Sequence, residues 1–253
     1  MVHSAAAALG VRIRHAEHVM GTVVSFDVPV SARENGSLAA AVRWLHWVDR
    51  VFSPYRRDSD VSLLANAEVT VDACAPEVTE VLAACALIRD LSGGYFTSAP
   101  SGRFDPSGYV KGWAVEQAAA ILTAAGSAEH SVNGGGDVQC TGGRLWRIGI
   151  ADPLRPGRLA LVVAGQDFAV ATSGVAERGA HIIDPYTGQP PAGLASVTVV
   201  GARLAETDAY ATAAFAMGSA ARDWVEGLAG YEAFAITAAG ATWQTSGFGR
   251  YLG

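Results

Sequence analysis

"ASVTVVGARLAETDAYATAAFAMG", residues 195–218, joins two opposite local preferences. Residues 195–201 are rich in β-branched side chains, which predicts a strand. Residues 207–218 are rich in alanine, which predicts a helix. On that helix Asp208 and Thr212 lie four apart and project from the same face. Downstream, "ARDWVEGLAG" (221–230) predicts a second helix. "YEAFAITA" (231–238) and "ATWQTSGF" (241–248) predict two closing strands.

The same alternation runs upstream. "MGTVVSFDVPV" (20–30) reads as the first strand. In "SLAAAVRWLHWVDRVF" (37–52), Leu38, Val42, Leu45, Val48 and Phe52 recur at helical spacing, with Ser37 as the expected N-cap. "SPYRRDSDVSLLAN" (53–66) is a polar loop leading into a short segment. "APEVTEVLAACALIRDLSGG" (75–94) predicts a helix stopped by Gly93 and Gly94, and "YVKGWAVEQAAAILTAAG" (109–126) one closed by Gly126. Strands are expected at 130–133, 145–151, 159–164 and 167–172, and a turn-rich loop at "HIIDPYTGQPP" (181–191). The order predicts one α+β domain over residues 1–253, with helices packed on a mainly antiparallel sheet.

Composition narrows the function. Of 253 residues, 50% are hydrophobic and 17% charged, a folded rather than disordered balance. Net charge is −6 with no lysine/arginine cluster, which argues against nucleic-acid binding. Cys74, Cys85 and Cys140 have no CxxC spacing, so neither a zinc site nor a disulfide framework is indicated. The start, "MVHSAAAALGVRIRH", lacks a basic n-region and reads as a ragged or strand-leading start rather than a signal peptide. No run approaches the ~18 apolar residues of a membrane span. A cytoplasmic enzyme or binding protein without a membrane anchor is expected.

Four polar clusters interrupt the apolar elements. In "RFDPSGYVKGWAVE" (103–116), Asp105 precedes a helix start, Ser107 is a candidate cap, and Lys111 falls in the first turn. A cation there opposes the helix dipole unless an anionic ligand sits at that end; a capped surface helix with a solvated lysine is the alternative. "NGGGDV" (133–138) reads equally as a close backbone approach to a ligand or a plain hairpin turn. "ATSGVAERGAHIIDPYTG" (171–188) carries Arg178, His181 and Asp184, and His181 is open to base, ligand-contact and structural roles. In the opening helix, a carboxylate and a hydroxyl suit Mg²⁺ better than zinc, while a buried Asp with a back-bonded Thr accounts for the same spacing.

Taken in order, six stretches resemble the ApbE family, the FAD:protein FMN transferases. They are "MGTVVSFDV", "SPYRRDSDVSLLAN", "FDPSGYVKGWAVE", "NGGGDV", "ATSGVAERGAHIIDPYTG" and "TDAYATAAFAMG", spanning residues 20 to 218. The chain is most similar to the short, signal-less bacterial form. The resemblance implies a T-fold-like domain that binds FAD and Mg²⁺. It implies cleavage of the FAD pyrophosphate and attachment of FMN, through a phosphoester, to a threonine or serine of an acceptor flavoprotein, with release of AMP. The implied metal set is Asp208, Thr212 and the backbone carbonyl of Gly108. Met20, Tyr55, Asp105, Lys111 and Ile183 match flavin-nucleotide contacts. His181, Asp105 and Asp208 are the candidate catalytic groups for activating the acceptor hydroxyl.

One departure stands out. Where many members carry GxFDxT and a longer insertion, this chain has "GYFTSAP" (94–100), with Thr97 at the usual acid position. Tyr95, Phe96 and Thr97 remain expected lining of the flavin site. Glu116 stands where aspartate is common. The shortening leaves two alternatives beside transfer: hydrolysis of FAD to FMN and AMP at the same site, and flavin binding without chemistry.

Overall fold

Alternation along the strands divides the interior into two cores, and this division places the site. In the computed structural model, which describes residues 11–99, 102, 104–175 and 182–253, the strands are β1 (Arg12–Val19), β2 (Thr22–Pro29), β3 (His130–Gly134), β4 (Asp137–Thr141), β5 (Trp146–Ala151), β6 (Leu159–Gly165), β7 (Phe168–Gly174), β8 (Leu194–Gly201), β9 (Glu232–Thr237) and β10 (Thr242–Gln244). The helices are α1 (Ser31–Glu34), α2 (Ser37–Phe52), α3 (Asp60–Ala65), α4 (Pro76–Leu91), α5 (Ser107–Ala124), α6 (Leu204–Met217) and α7 (Ala221–Glu226). Among the described residues, eight strands form one sheet in the order β1-β2-β3-β4-β7-β8-β9-β10, and β5 pairs with β6 apart from it. Every pairing is antiparallel, as the α+β reading expected.

On the helix side, strands β7, β8 and β9 present Ala169, Ala171, Val197, Val199, Ala233 and Ala235 to the core that holds α2, α4, α5 and α6. Their opposite face sends Phe168, Val170, Phe234 and Ile236 into a second core with Trp146, Ile150 and Val163 of the β5–β6 hairpin. Small side chains on the helix side let α6 lie close to the sheet. Every residue of α6 except Glu206 and Thr212 is buried, so the helix is apolar almost all round because it is covered almost all round.

Such a helix still has to satisfy its first N–H groups. The Leu204 N–H donates to Gln139 Oε1 at 3.0 Å, and the Ala205 N–H to Glu116 Oε2 at 2.9 Å. Glu116 also pairs with Arg203 at 3.2 Å. The carboxylate from α5 thus caps α6 across the helix–helix interface.

Two capping expectations are corrected. Ser37 is the first helical residue, not the cap: Gly36 takes the cap position at φ +77°, and Asn35 Oδ1 accepts the Ser37 N–H at 3.0 Å. Ser107 likewise opens α5, and Asp105 Oδ1 accepts its N–H at 2.9 Å. Residues 12–19, expected only as a strand-leading start, form edge strand β1 in full register with β2. Their alternation is blurred by arginines and histidines, as suits a strand exposed along one edge. Among the described residues, no helix is long and apolar enough to cross a membrane.

His130 on β3 is fully buried, its ring between Ser127 Oγ at 3.1 Å and the Ala119 carbonyl at 3.0 Å. Burial pushes its pKa down from the ordinary histidine value. The unfolded chain therefore binds this proton at a higher pH than the folded one. Stability from this group is complete above about pH 6.5 and falls as pH drops below it, by at most about 1.4 kcal/mol per pH unit. Denaturant unfolding between pH 8 and 5.5 is expected to show this loss, and His130→Gln a shallower slope. Equal slopes would contradict the assignment.

Candidate functional site

The β1–β2 connection is a two-residue turn, Met20–Gly21, with φ +55° and +67°. Positive φ at both positions is the turn type that matches strand twist. Methionine there costs on the order of 1 kcal/mol relative to glycine. That strained residue sits on the lip of a cleft of about 130 Å³. The C-terminal end of α2 contributes Asp49 and Phe52, the following loop Tyr55, and the first turns of α5 Val110 and Lys111. Tyr55 is 94% exposed, an aromatic ring held in solvent at the cleft mouth. Behind it, Phe52 packs edge-on against Trp113 at 5.3 Å, and Trp113 against Trp44 at 5.2 Å. This aromatic wall fixes α2 against α5.

Lys111 reaches from that cleft into the protein. Its ammonium contacts Asp137 Oδ2 and lies 3.3 Å from Asp208 Oδ1. Both carboxylates are buried. The second oxygen of Asp137 accepts the Thr172 N–H at 3.0 Å, and Asp208 Oδ2 accepts the Gly112 N–H at 3.0 Å. Gly112 makes the approach of α5 to α6 possible: a Cβ there would lie 2.6 Å from the Leu204 carbonyl oxygen and 2.8 Å from Asp208 Cβ. One turn before Gly112 stands Gly108, where a Cβ would lie 3.4 Å from the Phe96 ring and 3.9 Å from Thr212 Cγ2. Gly108, Asp208 and Thr212 therefore sit along one α5–α6 seam.

The residue types at that seam include a carboxylate and a hydroxyl beside backbone carbonyls, a chemistry that suits a hard divalent cation keeping several water ligands. Among the described residues, no group of three or more His, Cys, Asp or Glu side chains could hold a metal ion. One carboxylate with neutral oxygens is compatible with Mg²⁺.

The remaining expected residues fall around a second locus. Asp105 stands at the start of α5, with its N–H donating to the Ser98 carbonyl at 2.6 Å. Phe96 is buried and packs on Gly108, so its ring belongs to the core. Thr97 Oγ1 accepts the Ala99 N–H at 3.1 Å. Tyr95 packs on Tyr186 at 4.9 Å between ring centroids, and the Tyr186 hydroxyl donates to the Gly93 carbonyl. This clasp ties the loop carrying Ile183 to the end of α4. Ile183 itself is half-buried there. His181 lies outside the described residues.

Asp137 is the site residue that sequence reasoning missed. "NGGGDV" does form a hairpin turn, with Gly135 and Gly136 at φ +60° and +97°. Its acid is the partner of Lys111. A usable signal existed: Lys111 is the only lysine among 18 basic residues, and one point-charge ammonium among arginines asks for a compact anionic partner.

The chain thus combines an antiparallel sheet backed by helices with a buried Asp–Lys–Asp group whose lysine also lines a cleft between the β1–β2 turn, α2 and α5. The ApbE family matches over residues 20–101 and 97–235, and the chain belongs to that family. Over 161 residues it is 36% identical to the Rhodobacter capsulatus FAD:protein FMN transferase, covering 59% of this chain and 29% of that protein. The Vibrio cholerae protein of the same name is 34% identical over 128 residues, 45% of this chain and 38% of its own. The chain spans about a third of the length of the curated relatives it matches. The ApbE protein of Thermotoga maritima shares the fold at a TM-score of 0.84 and 23% identity, covering 96% of this chain and 100% of that one. The flavin transferase ApbE from Vibrio cholerae does so at 0.83 and 22%, covering 96% and 99%.

Proposed function

We propose that this protein is an Mg²⁺-dependent FAD:protein FMN transferase, working in the cytoplasm as one domain over residues 1–253. The acceptor is a threonine or serine of a partner flavoprotein. The observation that carries this reading is the convergence of Met20, Tyr55 and Lys111 on one cleft, with Lys111 touching Asp208 at the α5–α6 seam. Family membership and the names of the relatives support it. Free Cys74, Cys85 and Cys140 suit a reducing compartment.

In the reaction the acceptor hydroxyl oxygen bonds to the FMN-side phosphorus. The pyrophosphate bridge breaks, AMP leaves with the bridging oxygen, and the hydroxyl proton passes to a base. Gly108, Asp208 and Thr212 would hold the Mg²⁺, which supplies charge neutralisation at the pyrophosphate. Lys111 adds a second positive charge on the cleft side. Asp208 has one oxygen on Lys111 and the other on the Gly112 N–H, so its geometry suits ion binding better than proton abstraction. On this reading His181 and Asp105 are the favoured candidates for the base, with Asp208 as the third. Met20 and Tyr55 clamp the flavin end at the cleft mouth.

Incubation with FAD, Mg²⁺ and a threonine-bearing acceptor tests this. AMP release with flavin on the acceptor is expected. AMP with free FMN would mean hydrolysis, and FAD binding without AMP a carrier. Tyr55→Ala is expected to raise the KM for FAD about tenfold with no change in Tm, because the ring is exposed. An unchanged KM would remove Tyr55 from the substrate contacts.

A further inference from the structure

Lys111 is placed where a cation belongs, and it is the only lysine in the sequence. Its ammonium touches Asp137 and lies 3.3 Å from Asp208 Oδ1. Asp137 is held from behind by the Thr172 N–H, and Thr172 Oγ1 is hydrogen-bonded to Thr198 Oγ1 at 2.8 Å. Asp137 is therefore a fixed anchor on the sheet, whereas Asp208 belongs to the helix seam with Thr212. An ammonium is compact enough to sit between two such carboxylates; a planar guanidinium demands a wider, bidentate partner.

We propose that Lys111 holds the cation position of the ion-free site and moves off Asp208, onto Asp137 alone, when the divalent ion binds. Asp137 is then a positioning residue. It retains the ammonium beside the cleft after the ion has taken Asp208. Ion binding and delivery of the Lys111 charge to the substrate's phosphates become one event. The positive charge that would otherwise be spent on Asp208 is released only when the ion is in place. This inference rests on the proposed reading of Asp208 as an ion ligand.

The sole lysine supplies the probe. With ¹³C/¹⁵N-lysine labelling, the Lys111 side chain gives one Cε signal. Mg²⁺ alone, without nucleotide, is expected to shift it in the wild-type protein and to leave it in place in Asp208→Asn. Mn²⁺ binding, followed by electron paramagnetic resonance without nucleotide, is expected to tighten about tenfold in Lys111→Met. The double variant Lys111→Met/Asp137→Asn removes the buried pair together, so it keeps the test open if the single variant folds poorly. It too is expected to bind Mn²⁺ more tightly than wild type. Wild-type affinity in both variants, or a stationary Lys111 signal while the ion binds, overturns the proposal alone. Ion binding that survives Asp208→Asn, or no ion binding at all, overturns the reading of the metal site and this proposal with it.

Discussion

Asp208→Asn is expected to lower Mg²⁺-dependent AMP release from FAD by at least 10²–10³-fold, on the order of losing one electrostatic contact to the transition state. The amide oxygen can still accept the Gly112 N–H, and Lys111 keeps Asp137, so the seam remains assembled. Helix content by circular dichroism should match wild type. Asparagine isolates the charge better than alanine, which would leave the buried Gly112 N–H without an acceptor at a cost of about 1–3 kcal/mol. Turnover within a few-fold of wild type would sink the assignment of Asp208.

Gly112→Ala is expected to damage stability and turnover together. The new methyl group would lie 2.6 Å from a backbone oxygen of α6 and 2.8 Å from Asp208 Cβ, distances that only separation of the two helices relieves. Overpacking of this kind costs about 1–3 kcal/mol, or roughly 2–12 °C in Tm for a chain of this size. Moving α6 also moves Asp208, so AMP release should fall beyond what unfolding explains. Gly108→Ala, one turn earlier, is the control. Its Cβ would meet Phe96 at 3.4 Å and Thr212 at 3.9 Å, ordinary contact distances. That variant should keep its Tm and its turnover. A Gly112→Ala protein as stable as Gly108→Ala would show that α5 and α6 do not pack as described.

Much of the site was readable because its elements are locally coded. The helix carrying Asp208 and Thr212 follows from alanine content, and their shared face from four-residue spacing. Edge strand β1 escaped because charged and histidine side chains on an exposed edge leave no clear period. Serine is a common cap, so local sequence points to Ser37 and Ser107. Gly36, in the left-handed region, and Pro106 hold those positions, and the side chains of Asn35 and Asp105 accept the serines' N–H groups. The Phe96 ring is packed into the core against Gly108, which leaves its backbone for the expected lining of the flavin site.

The sequence by itself determined the α+β class, the main helices and strands, and the residue types at the seam. The class and the elements follow from local propensity and periodicity over a dozen residues, whereas the seam set, Gly108 above all, came from the family resemblance. Only the tertiary structure decided that Lys111 lies between Asp137, 26 residues away, and Asp208 on another helix. It alone placed Met20 and Tyr55 on one cleft with Lys111. Those contacts depend on strand order and on a helix approach permitted by the bare backbone of Gly112, which no local pattern encodes.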